Sequence, residues 1–369
     1  MPAPRVLITE HLDDAAATWL GEWAEARAIG PDDPGFATAL AGAEGLVVRT
    51  YTRVDADLLD RAPKLRVVGR AGVGLDNIDL PACRERGVTV VHTPDANTQA
   101  VVEYVFGLML DHFRPRPTLG AGDGPERHRA LRSTSVGTQL DTLTLGILGF
   151  GRVGRRVGAV AERIGMKLHV CDLIGPAACR QAVDYPFEFV EREALLEGSD
   201  VFTVHVDGRA ANRHLLGAAA FARLPLHALF VNASRGMVVD EAALLGWADR
   251  AVDHGGAAIL DVQDPEPPPA DSPLYGKPNV RPLPHLGSRT CTALANMSGV
   301  LRDVRDVLEG RPPAHPAAPV PRARQCAWID RPGCIAQGDR QKANGGMPNA
   351  DGLADWSFRS QLSAGCHTA

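Results

Sequence analysis

The stretch TLGILGFGRVGRRVG, residues 144–158, decides the fold. It joins a short apolar run to a helical pattern through the motif GFGRVG, residues 149–154. A strand, a Gly-x-Gly-x-x-Gly turn and a helix in that order are typical of a dinucleotide-binding βαβ unit. Gly149 permits the tight turn, Gly151 lets the backbone approach a pyrophosphate, and Gly154 allows close packing of helix on strand. A glycine turn without a ligand is the alternative interpretation.

The residues around this motif predict which dinucleotide binds. Arg152 and Val153 open the helix, and the backbone N–H groups of a helix N-terminus favour a pyrophosphate. Asp172 ends the next strand-like run 18 residues after Gly154, close to the spacing at which an acid binds the adenosine ribose hydroxyls. A carboxylate there repels a 2′-phosphate, and no Arg or Lys follows before Arg180. The sequence therefore predicts NAD rather than NADP, with a simple turn cap as the alternative role of Asp172.

The composition excludes several classes of protein. The chain has 369 residues, of which 45% are hydrophobic and 22% charged, and its formal net charge is −5. These values favour two packed domains and small-molecule chemistry over binding of nucleic acid or a membrane surface. The longest apolar run, residues 143–150, is too short to span a bilayer. The first residues lack the apolar core of a secretory signal, so we expect a cytoplasmic protein. Seven scattered cysteines without a Cys-x-x-Cys pair favour reduced thiols and no metal site.

The order of apolar runs predicts an α/β protein. Short β-type runs alternate with helical patterns over residues 5–91 and again over residues 144–262, which indicates two parallel-sheet domains. Residues 113–139 are rich in Arg, Gly, Pro and Ser and are interpreted as a connecting arm. Residues 291–310 predict a helix. Residues 321–369 are polar and Gly-rich, and we expect them to be disordered.

Ionisable groups follow three predicted strands in the second half of the chain. Arg235 lies in NASRG, Asp261 and Glu266 lie in LDVQDPEP, and His285 lies in PLPHLGSRT. Ligands bind at the carboxyl ends of strands in open α/β sheets, so these groups could converge. Hydride transfer to a 2-keto acid needs a cation for the carboxylate, an acid for the carbonyl oxygen and a partner for that acid. Taken singly, a surface arginine, a structural histidine and a solvated acidic turn are the alternatives.

Eight sequence blocks follow one another within residues 4–320: VVRTYTRVDADLL, LRVVGRAGVGLDNIDL, VVHTPDANTQAVVEYVFGLML, TLGILGFGRVGRRVG, SDVFTVHV, FVNASRGMVVDEAAL, LDVQDPEPPPADSPLYGKPNV and PHLGSRT. Together, in this order, they resemble the D-isomer-specific 2-hydroxyacid dehydrogenase family.

The resemblance implies a role for each candidate residue. Arg235 would bind the substrate carboxylate and carbonyl, His285 would act as general acid/base, and Glu266 would hold His285 protonated for reduction. The backbone N–H groups of Val73 and Gly74 would meet the substrate carboxylate across the cleft. The implied cofactor contacts are Val206 near the adenosine, Ala233, Ser234 and Arg235 along the cofactor, Asp261 at the nicotinamide carboxamide, and His285.

The resemblance also implies a domain arrangement. A discontinuous, flavodoxin-like substrate domain would comprise residues 1–98 and 287–320, and a Rossmann NAD-binding domain, residues 99–286, would be inserted into it. The cleft between the two doubly wound domains would close on the substrate. A homodimer through the cofactor domain and the arm is implied, although the arm lacks the family's Trp-containing pattern.

The substrate is open at this stage. The chain looks most like the D-3-phosphoglycerate dehydrogenase branch, in which residues matching Arg49 and Arg70 hold the substrate's phosphate; this would place it in serine synthesis. Alternatively, these arginines pair with acids such as Asp55 or Asp76. A glyoxylate or hydroxypyruvate reductase of the same fold, an NAD(H)-sensing corepressor-like binding protein and a weakened paralogue are the rival functions.

Overall fold

The structure is a computed structural model and describes residues 2–317. Two parallel sheets, one of five and one of seven strands, organise this part of the chain. The predicted α/β fold class is thus confirmed. Residues 321–369, for which disorder is expected, lie outside the described residues.

The first sheet is formed by the N-terminal part of the chain. Its strands are β1 (Arg5–Ile8), β2 (Glu25–Ala28), β3 (Gly45–Val48), β4 (Val67–Arg70) and β5 (Thr89–His92). They pair in parallel in the order β2-β1-β3-β4-β5. The helices between them are α1 (Asp14–Gly21), α2 (Phe36–Gly42), α3 (Ala56–Asp60) and α4 (Leu80–Glu85). All four residues of β3 are buried, as is typical of a parallel strand that is covered on both faces.

The second sheet follows two helices, α5 (Thr98–Phe113) and α6 (Pro125–Thr134). Its strands are β6 (Thr144–Leu148), β7 (Lys167–Cys171), β8 (Glu188–Phe189), β9 (Val201–Val204), β10 (Leu229–Asn232), β11 (Ala257–Leu260) and β12 (Val280–Pro282). Their order is β12-β11-β10-β9-β6-β7-β8. The helices between them are α7 (Arg152–Ile164), α8 (Gly175–Gln181), α9 (Arg192–Glu197), α10 (Ala218–Arg223) and α11 (Glu241–Ala251). The carboxyl ends of β6, β9, β10 and β11 therefore lie at one edge of the sheet, where ligands of open α/β sheets bind.

The chain then returns to the first sheet through α12 (Cys291–Ser298) and α13 (Val300–Leu308). Val300 and Val304 of α13 pack in the same apolar core as Val47 and Val67. Gly69 makes this approach possible, because a Cβ atom there would lie 2.5 Å from Val304 Cγ2. This packing supports the discontinuous substrate domain, which stays a prediction.

Two segments differ from their sequence-based expectation. The arm contains the helix α6, in which no residue is buried, so no apolar periodicity marked it. The helix expected over residues 291–310 is two helices that meet at Gly299. Within residues 2–317 no helix is both long and apolar enough to cross a membrane.

Candidate active site

The glycine turn after β6 has the backbone that a dinucleotide loop needs. Gly149 has a φ of 93°, in the left-handed region that favours glycine. A Cβ atom on Gly154 would lie 2.1 Å from the Gly149 carbonyl oxygen, so helix and turn approach as closely as the motif predicted. The first N–H groups of α7, from Arg152 and Val153, have no partner within the helix. They can therefore donate to a pyrophosphate.

A cleft opens beside this turn. Its lining residues are Gly149, Gly151, Asp172, Leu173, His205, Val206, Asp207, Arg209 and Asn212. Asp172 accepts hydrogen bonds from Phe150 N (2.5 Å) and Ile174 N (3.0 Å), and it stays partly exposed. Asp172 thus connects the glycine turn to the end of β7 by hydrogen bonds, and its carboxylate lines the cleft. The cap role and the ribose role of Asp172 are compatible, and the residues present fit a dinucleotide without a 2′-phosphate.

The NASRG turn after β10 is organised by a buried amide that sequence reasoning did not single out. Asn232 Oδ1 accepts from the backbone N–H (3.0 Å) and the hydroxyl (2.8 Å) of Ser234, while its Nδ2 donates to Arg235 O (3.0 Å). Asn232 is fully buried. The turn therefore carries Ala233 and Ser234 in a fixed conformation and projects the Arg235 side chain away from the sheet. The spacing of Asn232 before Arg235 is the only sequence signal for this role.

Asp261 holds the turn that presents His285. Its two carboxylate oxygens accept from Leu286 N (2.7 Å) and Gly287 N (2.9 Å), and its carbonyl oxygen accepts from His285 N (2.9 Å). His285 has a φ of 55°, which is uncommon for a residue with a side chain and is maintained only where surrounding bonds enforce it. Asp261 is only 2% exposed. Its observed contacts are structural, and its contact with a nicotinamide carboxamide stays a prediction.

His285 and Glu266 form a close pair. Glu266 Oε1 lies 2.5 Å from His285 Nδ1, so Nδ1–H donates a hydrogen bond to the carboxylate. Both side chains are partly exposed, with 30% of the imidazole and 22% of the carboxyl group accessible. The carboxylate orients the ring by accepting the hydrogen bond of Nδ1. The Nε2 atom is left as the ring nitrogen that can exchange a proton with a bound molecule.

Arg235 faces the end of the first sheet. Its Nε donates to Asp76 Oδ2 (2.6 Å), and one terminal nitrogen donates to Ser234 O (2.7 Å). The other, Nη2, lies against Gly74, where a Cβ atom would be only 1.8 Å away. Burial alone would raise the pKa of Asp76, but the charges of Arg235 and Arg70 hold it below its ordinary value. The guanidinium thus reaches the turn that was predicted to bind a carboxylate.

Arg70 is a largely buried cation whose neighbours include both basic and acidic side chains. Its Nε is buried and has no hydrogen-bond partner among residues 2–317. Burial, together with the nearby charges of Arg235 and Arg49, lowers the pKa of Arg70 to about 10. Within residues 2–317, neither Arg49 nor Arg70 forms a close ion pair with the acids named as alternatives: Asp76 bonds Arg235, and Asp55 caps α3 through Leu58 N at 3.0 Å.

Arg49 lies in a loop that a second unforeseen residue organises. Glu10 accepts hydrogen bonds from four consecutive backbone N–H groups, those of Arg49, Thr50, Tyr51 and Thr52, at 2.9–3.1 Å. Arg49 Nη1 donates to His11 O at 2.9 Å. Burial and the charge of Arg289 lower the pKa of Arg49. Arg289 was also not foreseen, because no strand precedes it directly. The region therefore holds more cationic than free anionic groups, a setting that favours an anionic ligand.

Residues 106–287 match the family described as D-isomer specific 2-hydroxyacid dehydrogenase, NAD binding domain. An (S)-sulfolactate dehydrogenase from Chromohalobacter salexigens is 36% identical over 310 residues, which cover 81% of this chain and 96% of that relative. The chain belongs to the D-isomer-specific 2-hydroxyacid dehydrogenase family. As in other members of this family, the matched region is an NAD-binding domain, and the glycine turn and Asp172 lie within it.

Other proteins similar to this chain include a phosphoglycerate dehydrogenase and a protein of known crystal structure. A D-3-phosphoglycerate dehydrogenase from Mycobacterium tuberculosis is 37% identical over 296 residues, which are 79% of this chain but 54% of that protein. The chain thus spans about half the length of this curated relative. A crystal structure of a protein from Thermus thermophilus superposes with a TM-score of 0.73 at 32% identity, covering 85% of this chain and 100% of the other. Within residues 2–317, no group of three or more His, Cys, Asp or Glu side chains could hold a metal ion.

Proposed function

We propose that the protein is an NAD-linked oxidoreductase that interconverts a D-2-hydroxy acid and its 2-keto acid. The observation that carries this proposal is the arrangement of Arg235 beside the Gly74 turn and of His285 paired with Glu266 at 2.5 Å. Family membership supports the same reaction class. A cation for the carboxylate and a proton donor with a carboxylate partner are the groups that such a reduction needs.

The protein side chains divide the reaction between them. NADH, when bound, supplies the hydride to the carbonyl carbon. Arg235 binds the carboxylate and polarises the carbonyl oxygen, and His285 donates its Nε2 proton to that oxygen as the alcohol forms. Glu266 keeps the imidazole oriented through its hydrogen bond with Nδ1. In the oxidative direction His285 accepts the hydroxyl proton instead.

The favoured substrate pair is 3-phosphoglycerate and phosphohydroxypyruvate. Such a substrate carries a phosphate in addition to its carboxylate. Arg49 and Arg70 would bind the phosphate, since the Nε of Arg70 has no hydrogen-bond partner among the described residues and Arg235 and Arg49 add positive charge near it. A guanidinium is well suited to bidentate recognition of phosphate. The relative from M. tuberculosis supports this choice of substrate.

A second substrate class has its own support. The (S)-sulfolactate dehydrogenase relative matches this chain over 96% of its length, and a sulfonate is also an anion that arginines bind. Sulfolactate and 3-phosphoglycerate both combine a 2-hydroxy acid with a second anionic group. The arginine cluster of Arg49 and Arg70 fits either, whereas glyoxylate has no second anion for it.

Domain organisation and assembly are part of the proposal. The substrate domain would comprise residues 1–98 and 287–320, of which residue 1 and residues 318–320 lie outside the described part. The NAD-binding domain would comprise residues 99–286. The exposed helix α6 supports a homodimer through the arm, which light scattering coupled to gel filtration would test. The cytoplasmic location and a role in serine synthesis also stay proposals.

Initial rates with the full chain test the proposed reaction. Phosphohydroxypyruvate, sulfopyruvate, hydroxypyruvate, glyoxylate and pyruvate are compared with NADH and with NADPH. We expect NADH-dependent turnover, and a higher kcat/KM for the doubly anionic acids. Preference for glyoxylate or hydroxypyruvate would reject the substrate assignment, and NADH binding without turnover of any 2-keto acid would reject the enzyme.

A further inference from the structure

The turn formed by residues 72–74 offers two backbone donors to the cleft. The N–H groups of Val73 and Gly74 make no hydrogen bond with any group in the described part of the chain. Both residues are only partly buried. Unpaired N–H groups beside a guanidinium form an anion-binding site, provided that their direction is fixed.

Both peptide groups of this turn are held from the opposite side by the end of β5. Thr93 N donates to Gly72 O at 3.1 Å, and His92 Nδ1 lies 3.0 Å from Val73 O. A carbonyl oxygen can only accept, so the Nδ1 atom of His92 carries the proton. In a trans peptide the N–H points opposite to the C=O. The contact with Val73 O therefore directs the Gly74 N–H away from His92. Gly74 is also the residue against which Arg235 Nη2 lies.

We propose that His92 is a positioning residue for the substrate carboxylate: its Nδ1–H holds the Val73–Gly74 peptide so that the Gly74 N–H and Arg235 bind the carboxylate together. The inference rests on the proposed function and adds a residue to its site. Thr93 contacts the neighbouring peptide through its backbone N–H, which a substitution does not remove. The His92 side chain is therefore the group whose replacement tests the positioning role.

The surroundings of His92 favour this role. Burial, with the charges of Arg152 and Arg70, lowers its pKa, although the bond to Val73 O acts in the opposite direction. The imidazole is therefore neutral at pH 7 and has one N–H, which Val73 O accepts. A neutral donor orients the peptide without adding a competing charge next to the substrate.

Two substitutions separate the hydrogen bond from the shape of the side chain. In His92→Asn the amide Nδ2 is bonded to Cγ, as Nδ1 is in histidine, so the donor keeps its place. His92→Leu has a branched Cγ of similar size but no donor, and His92→Ala is a second variant without a donor. The full chain is used throughout, and the measured quantities are KM and kcat for the preferred 2-keto acid and the Kd of NADH.

His92→Leu and His92→Ala should raise KM by about 10-fold, the usual effect of weakening one hydrogen bond to a charged group. We expect kcat and the Kd of NADH to change less than about twofold, and His92→Asn to restore KM, since the donor and not the ring carries the effect. An unchanged KM in both donorless variants would overturn the inference. So would a KM for His92→Asn as high as that of His92→Leu, or an equal loss of NADH affinity, which would indicate a general structural role.

The same experiment distinguishes this inference from the proposed function. If the wild-type protein turned over no 2-keto acid, both would fall. If the wild type were active and His92→Leu matched it, the inference alone would fall.

Discussion

Replacing Arg70 by methionine should stabilise the folded protein while weakening its function. Burial, and then the charges of Arg235 and Arg49, lowers the pKa of Arg70 to about 10. A base whose pKa is lower in the folded chain binds its proton more tightly in the unfolded chain, so at any pH below about 10 the charge favours unfolding. Compared with a free guanidinium, the lowering corresponds to roughly 3 kcal/mol.

Urea unfolding at pH 7.5, followed by tryptophan fluorescence, measures this effect. Methionine fills a similar length without the charge, so we expect Arg70→Met to increase the free energy of unfolding by about 1–3 kcal/mol, as when buried charges are replaced by apolar groups. Arg84→Met is the matched control. Arg84 is exposed on α4, and its replacement should change stability by less than about 0.5 kcal/mol.

Inorganic phosphate provides a second, independent readout. Phosphate that binds the arginine cluster should raise the unfolding midpoint of the wild type and of Arg84→Met, and should raise that of Arg70→Met less. A loss of more than about 1 kcal/mol in Arg70→Met would refute the reasoning, because removal of a paired buried charge is what destabilises a protein by that amount or more. In that case Arg70 would have a partner in the folded chain.

Three further predictions concern the reaction, the cofactor and the thiols. His285→Ala should lower kcat by about 10²-fold or more and leave the Kd of NADH nearly unchanged; steady-state rates equal to those of the wild type would remove His285 from the mechanism. Asp172→Ala should reduce the preference for NAD over NADP, measured as the ratio of kcat/KM values, because the carboxylate no longer repels a 2′-phosphate; an unchanged ratio would contradict the ribose assignment. Burial raises the pKa of the Cys83 thiol to about 11 and those of Cys171 and Cys179 to about 12, so iodoacetamide at pH 8 should label these three cysteines only after denaturation, as peptide mass mapping would show. Labelling in the native protein would indicate that these sites open.

The central strands could be predicted from sequence, and the edge strands β2 and β8 could not. β3 and β6 are buried between helices, so they appear as continuous apolar runs. The edge strand β2, with sequence EARA, is exposed at every residue, and β8 has only two residues. These two edge strands pair on one side and have no buried residue, so their sequences carry no apolar pattern to detect. The edge strand β5 has two buried residues and appears in the sequence as the apolar run VTVVH. The arm helix α6 was missed for the same reason, since it buries no residue.

The parts of the candidate site that lie within local sequence motifs were predicted. The close contact of Gly154 with Gly149 follows directly from the spacing of the glycines, and the pairing of His285 with Glu266 was implied by the family resemblance. Glu10, by contrast, bonds N–H groups of residues 49–52, about 40 positions away.

Contacts between distant segments follow from tertiary packing and not from a local pattern. The pairing of Asp76 with Arg235 joins residues 159 positions apart. For the same reason, the sequence could offer Asp55 and Asp76 as partners of Arg70 but could not show that Arg235 takes Asp76 instead.

The ratio of kcat/KM for phosphohydroxypyruvate to that for hydroxypyruvate tests the central claim most directly. The two acids differ only in the phosphate, so the ratio isolates the contribution of the arginine cluster. We expect a ratio well above one with NADH in the wild type and in Arg84→Met, and a ratio about 10- to 100-fold lower in Arg70→Met, in line with the loss of a charged contact. Equal ratios in the wild type and Arg70→Met would contradict the proposed phosphate site, and absence of NADH-dependent turnover with either acid would contradict the proposed reaction.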